Sequence, residues 1–92
     1  MAIEVRIPTI LRSYTDGAKA VEGSGDTLAD VISDLDSRHP GLRGRLMDES
    51  GLRRFVNVYL NDEDVRFLGG LETKVSDGDS VTVLPAVAGG AR

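Results

Sequence analysis

Ninety-two residues carrying a formal charge of −4 and no cysteine describe one small acidic domain. The absent thiols exclude disulfides, a cysteine nucleophile and Cys-ligated zinc or iron–sulfur centres. A chain of this length buries roughly 60% of its unfolded surface, which leaves little room for a deep catalytic cleft. Fifteen acidic against eleven basic residues argue against nucleic acid as the main partner and suit docking onto a basic protein surface. Met1-Ala2-Ile3-Glu4-Val5-Arg6 has no apolar signal segment, and no run has the length of a membrane span. A cytoplasmic protein is the expectation.

Ile3-Glu4-Val5-Arg6-Ile7 alternates apolar and charged residues, the pattern of a strand with one buried face. Pro8 ends it, because proline cannot donate to a sheet ladder. Thr9-Ile10-Leu11 leads to a polar turn at Thr15-Asp16-Gly17, and Ala18 to Glu22 supplies a second strand. The two strands form an amino-terminal hairpin.

Gly23-Ser24-Gly25-Asp26 breaks the chain before a helix. Thr27 suits its N-cap, and Leu28, Val31, Ile32 and Leu35 at i, i+3, i+4 and i+7 share one face. Arg38 and His39 lie at its negative end, and Pro40-Gly41 stops it. Residues 41–53, with scattered Leu42, Leu46 and Met47, read as a connecting loop with room for a helical turn.

Phe55 to Leu60 is a strand by residue type, with Val56, Val58 and Leu60 inward and Asn57 and Tyr59 outward. Asn61-Asp62-Glu63-Asp64 reads as a turn and Val65-Arg66-Phe67 as a short strand, with Phe67 assigned to the core. Gly69-Gly70 and Asp77-Gly78-Asp79 are further turns. Ser80 to Leu84 is the last strand, with Val81 and Val83 inward.

The order strand, strand, helix, strand, short strand, strand predicts an α+β fold of the β-grasp, ubiquitin-like type. Its mixed sheet has about four to five strands, and one main helix packs on one face. The domain is expected over residues 1–84, followed by a flexible tail over residues 85–92 that carries Gly89-Gly90.

That tail is the candidate site. Extended at about 3.3–3.6 Å per residue, the stretch from Pro85 to Gly90 spans roughly 20 Å. Glycines lacking Cβ atoms fit a slot too narrow for other residues. A free Gly90 carboxyl, ionised at neutral pH, is a poor electrophile until it is activated. Adenylation by ATP supplies a leaving group, and a sulfur donor displacing AMP leaves a nucleophilic thiocarboxylate. No side-chain thiol of the carrier is needed.

The chain resembles the ThiS/MoaD family of ubiquitin-like sulfur carriers nearly end to end. The likeness rests on the opening IPTIL, the helix start GDTLADVISDL, the segment RFVNVYLNDEDVRF and the ending DGDSVTVLPAVAGG. Diglycine alone is a weak signal; the combination of DGD, alternating strand, proline and diglycine is specific. Within the family, RFVNVYLNDEDVRF and LPAVAGG look most like the cysteine-forming carriers.

The resemblance implies a carrier substrate rather than an enzyme. An E1-like adenylating and sulfurtransferase enzyme would activate Gly90. A pyridoxal-phosphate-dependent cysteine synthase acting on O-phosphoserine would accept the sulfur, and a metal-dependent peptidase would release cysteine. ATP, pyridoxal phosphate and zinc would belong to those partners, with no cofactor bound by this chain. Other readings are a protein modifier joined to lysines, and a non-covalent small subunit such as that of molybdopterin synthase. Active family members end at the second glycine, whereas Ala91-Arg92 follow here. Either a peptidase trims them, or they are vector-derived, or this copy is inactive as a carrier.

Tyr59, Thr82 and Leu84 are expected to share an outward face near the tail and, with Pro85 and Val87, to form a docking patch. His39 has no ligand-type neighbour in sequence, and Asn61 to Asp64 lacks the spacing of a calcium loop. Arg43, Arg45, Arg53 and Arg54 read as solubilising loop charges. Gly23-Ser24-Gly25 lacks the lysine of a phosphate loop.

Overall fold

The computed structural model describes residues 2–49, 51–53 and 56–85. Strand β1 (Ile3–Arg6) is followed by a 3-10 segment, Thr9–Thr15, and by β2 (Ala20–Gly23). Helix α1 covers Leu28–Arg38 and the short α2 covers Leu42–Leu46. Then come β3 (Met47–Asp48), β4 (Gly51–Leu52), β5 (Val56–Leu60), β6 (Glu63–Asp64), two 3-10 turns and β7 (Ser80–Pro85).

The main sheet has the order β2-β1-β7-β5-β6, and β3 pairs with β4 in a separate ribbon. β1 runs antiparallel to β2 and parallel to β7, with Val5 opposite Val81 and Arg6 opposite Thr82. β5 runs antiparallel to β7, from Leu60 opposite Val81 to Val56 opposite Pro85. This is the β-grasp topology that the element order predicts.

The alternation in each strand determines its two faces. Val5, Val58, Val81 and Val83 are all buried and meet Leu28, Val31, Ile32 and Leu35 of α1. The space remaining between these side chains is about 10 Å³, too small for a ligand. Thr27 caps α1, its hydroxyl accepting from the Asp30 N–H at 3.3 Å. At the other end the His39 N–H donates to the Leu35 carbonyl at 2.7 Å, so His39 closes the helix.

Four expectations need correction. The stretch read as a loop over residues 41–53 instead contains helix α2, whose Leu42 and Leu46 are both buried, and the strands β3 and β4. The second strand begins at Ala20, because Thr9–Thr15 coils into a 3-10 segment around buried Leu11 and Thr15. The turn after β5 is confined to Asn61 and Asp62, both at positive φ (49° and 75°), and Glu63–Asp64 already pairs back onto β5. Val65–Phe67 is a 3-10 turn rather than a strand, its start capped by Asp64, whose carboxylate accepts from the Arg66 N–H at 2.9 Å.

The last of these moves Phe67. In a strand, Val65 and Phe67 would share a face. In a 3-10 turn, with three residues per turn, positions i and i+2 point in different directions. Val65 is therefore fully buried, while Phe67 is 87% exposed and lies outside the core.

Candidate functional site at the root of the tail

β7 lies between β1 and β5, and its last pair joins Pro85 to Val56. The β1 ladder with β7 ends at Arg6 opposite Thr82, before Pro8. Leu84 and Pro85 therefore have a strand partner only on the β5 side. Proline is suited to this place, where a ladder donor is dispensable. The strand also runs one residue further than the expected boundary after Leu84.

The register places Tyr59 opposite Thr82 and Asn57 opposite Leu84, so these side chains share the face turned away from α1. Leu84 is 44% exposed, and Tyr59, Thr82 and Pro85 are half-buried. The common face of Tyr59, Thr82 and Leu84 is thus present in the fold. Val87, Gly89 and Gly90 lie outside the described residues.

Two depressions flank Leu84. One, of about 240 Å³, is walled by Pro8, Ile10, Val56 and Pro85 with Arg45 and Arg53 at its rim. The other, of about 340 Å³, is walled by Pro8, Ala20 and Thr82 with Arg6, Arg12 and Lys19. The guanidinium groups of Arg53 and Arg12 are held by backbone carbonyls. Arg53 Nε donates to Gly44 at 2.8 Å and Arg12 Nε donates to Ile7 at 3.0 Å.

Arg66 secures the same corner from the β5 side. Its guanidinium donates to the carbonyls of Val56 (2.7 Å) and Arg53 (3.1 Å) and to Asn57 Oδ1 (2.9 Å). None of these arginines was assigned to the tail from sequence. Arg12, Arg45 and Arg66 come from three separate segments, and only the sheet register brings them to the end of β7. Arg43 goes elsewhere, beside Asp36 and Met47.

Among the described residues no three His, Asp or Glu side chains gather as a metal site, and no helix is long and apolar enough to cross a membrane. Asp77 and Asp79 instead bind protein groups, the Ala2 N–H at 2.8 Å and the Ser76 N–H at 2.8 Å.

Together, the mixed sheet, the single main helix and a central last strand leading toward a diglycine define a ubiquitin-like β-grasp protein. The chain belongs to the ThiS family, whose model matches residues 5–90. It is 62% identical to the Sulfur carrier protein CysO of Mycobacterium tuberculosis, over 98% of this chain and all of that one. It is 37% identical to Small archaeal modifier protein 3 of Haloferax volcanii, again over 98% of this chain and all of that one. A chain in the crystal structure of the Amycolatopsis orientalis BexX/CysO complex superposes with a TM-score of 0.91 at 59% identity, covering 96% of this chain and 99% of that one.

Proposed function

We propose that this chain is a cytoplasmic sulfur carrier that works through the carboxyl group of Gly90 and is acted on by enzymes rather than being one. The observation that carries the reading is the 62% identity, over 98% of the chain, to proteins named as sulfur carriers. The family match runs through Gly90 and stops there, with Ala91-Arg92 beyond it. An amide at Gly90 cannot be adenylated, so the reading requires a free carboxylate at that residue.

The chemistry follows from the terminus. The Gly90 carboxylate attacks the α-phosphorus of ATP on an E1-like adenylating and sulfurtransferase enzyme, and pyrophosphate leaves. A hydrosulfide equivalent then adds to the acyl carbon and AMP departs, leaving a thiocarboxylate. Its sulfur bonds to the β-carbon of O-phosphoserine on a pyridoxal-phosphate-dependent cysteine synthase as phosphate leaves. The Gly90 acyl group then shifts from sulfur to the new amino acid's amine, and a metal-dependent peptidase hydrolyses that amide to free cysteine and the carrier. ATP, pyridoxal phosphate and zinc are held by those enzymes. This chain contributes the arm from Pro85 to Gly90, of roughly 20 Å at full extension, and the docking face of Tyr59, Thr82, Leu84, Pro85 and Val87. The 59%-identical chain of the BexX/CysO complex supports a protein partner for this fold.

A second reading rests on the 37% identity to an archaeal modifier protein. A lysine amine attacking the same acyl adenylate would give an isopeptide bond. Intact mass spectrometry separates the two. The chain ending at Gly90 is incubated with ATP, the adenylating enzyme and a sulfide source. One oxygen-to-sulfur exchange at the terminus supports the carrier. Conjugates on other proteins without that exchange support the modifier, and no change of either kind overturns both.

A further inference from the structure

Although the chain as a whole is acidic, its charge is sorted along the sheet. Around the start of β1 lie Asp77, which accepts the Ala2 N–H, and Asp79, which accepts the Glu4 N–H through its carbonyl at 3.2 Å. Asp62 in the β5–β6 turn and Glu63 at the start of β6 join them, because the neighbouring Asn61 bonds both Asp79 and Ser80. At the opposite end of the sheet, the two depressions beside Leu84 are rimmed by Arg45 and Arg53 on one side and Arg6, Arg12 and Lys19 on the other. Among the described residues Glu4 is the only carboxylate lining either one. The one ion pair among the described residues, Arg38 with Asp34, lies on α1 and consumes none of these cations.

We infer that these cations form a collar around the root of the tail that docks against an acidic protein surface at the mouth of the enzyme that receives Gly90. The inference deepens the carrier reading and rests on it. It also reverses the partner charge expected from composition, since cations gather at this end of a chain whose net charge is −4. The collar suits a protein partner because its cations border apolar ground: Ile10 is 67% exposed and Leu84 44% exposed within the same rim. An apolar centre ringed by charge is the anatomy of a protein–protein contact. Fixed guanidinium groups at Arg12 and Arg53 lower the entropy lost on docking. The acidic pole then faces away from the partner, so the molecule approaches tail-first.

The test uses the chain ending at Gly90 with the adenylating enzyme of the same organism, and two readouts. Direct association with the enzyme is measured without ATP, at about 0.05 M and about 0.5 M sodium chloride. ATP–pyrophosphate exchange is measured as a function of carrier concentration. Arg6→Glu with Arg45→Glu reverses one exposed cation on each side of Leu84 and spares the anchored Arg12 and Arg53. Arg43→Glu with Lys74→Glu makes the same change in net charge away from the tail root.

The collar pair is expected to weaken association and raise KM about tenfold or more at low salt, with kcat unchanged, and to lose most of the salt dependence. The control pair should stay within about twofold of the parent. Equal effects of the two pairs, or none from either, overturn the collar while exchange by the parent keeps the carrier reading. Salt-dependent association that the collar pair abolishes, without any exchange, upholds the collar and removes the carrier reading. No association by the parent overturns the collar. So does displacement of the enzyme by an oligothymidine that binds the parent but not the collar pair, which would reassign the surface to nucleic acid.

Discussion

Arg66 donates to the Val56 carbonyl at 2.7 Å, and Val56 is the residue paired with Pro85 at the end of β7. One side chain from a surface turn therefore fixes the place where the tail leaves the sheet. Arg66→Ala should cost about 1–2 kcal/mol, since its bonds are charge-assisted but partly solvated. Arg66→Lys should recover little, because a single ammonium cannot span two carbonyls and an amide as the planar fork does. Urea midpoints measure the stability, and amide exchange of the residues around Val56 tests whether the loosening is local.

Leu35→Ala removes a side chain that is 1% exposed and packed between α1 and the sheet. The expected loss is about 2–5 kcal/mol. Domains of this kind hold only about 5–15 kcal/mol in total, so this single truncation should bring the protein close to unfolding at 37 °C. Thermal melting followed by circular dichroism would show it.

Two glycines should respond in opposite senses. A Cβ at Gly25 would lie 2.6 Å from the Asp30 Cβ and 2.8 Å from the Val31 backbone nitrogen, against the first turn of α1. Gly25→Ala should destabilise by about 1–3 kcal/mol. Gly44, inside α2, meets nothing within 4 Å. Gly44→Ala should stabilise by up to about 1 kcal/mol through helix propensity. Paired denaturation curves decide both signs.

Leu84→Asp tests the face beside the tail without touching the core. Because Leu84 is a little over half buried within β7, the change should cost about 1–2 kcal/mol, which leaves the protein folded. If Leu84 anchors the docking of partner enzymes, KM for the carrier should rise roughly thirtyfold, the equivalent of about 2 kcal/mol. An unchanged KM with unchanged folding would remove Leu84 from the docking face.

The strong periodicities were legible. The i, i+3, i+4, i+7 spacing of α1 and the alternation of β1, β5 and β7 each report a one-sided burial that local sequence records directly. Val65-Arg66-Phe67 misled because alternation over three residues cannot tell a strand from a 3-10 turn. The deciding bond, Asp64 to Arg66, involves no apolar residue. α2 was obscured by Gly44 and by its length of five residues; burial of Leu42 and Leu46 under the fold stabilises it, not propensity. The site was legible in part. The diglycine and the outward set of Tyr59, Thr82 and Leu84 follow from pattern, whereas the clustering of Arg6, Arg12, Arg45 and Arg53 depends on contacts between distant segments. No composition count could show that an acidic chain presents a basic end.

The parallel pairing of β1 with β7 joins residues as far apart as Glu4 and Ser80. A contact of that span carries a loop-closure entropy that local pairings avoid, and it slows folding. Until it closes, β1 has an open edge and the centre of the sheet is empty. The strand that fills it is also the one that precedes the diglycine in the sequence. The strand whose pairing spans the chain is thus also the one whose last pair, Pro85 with Val56, sets where the tail begins.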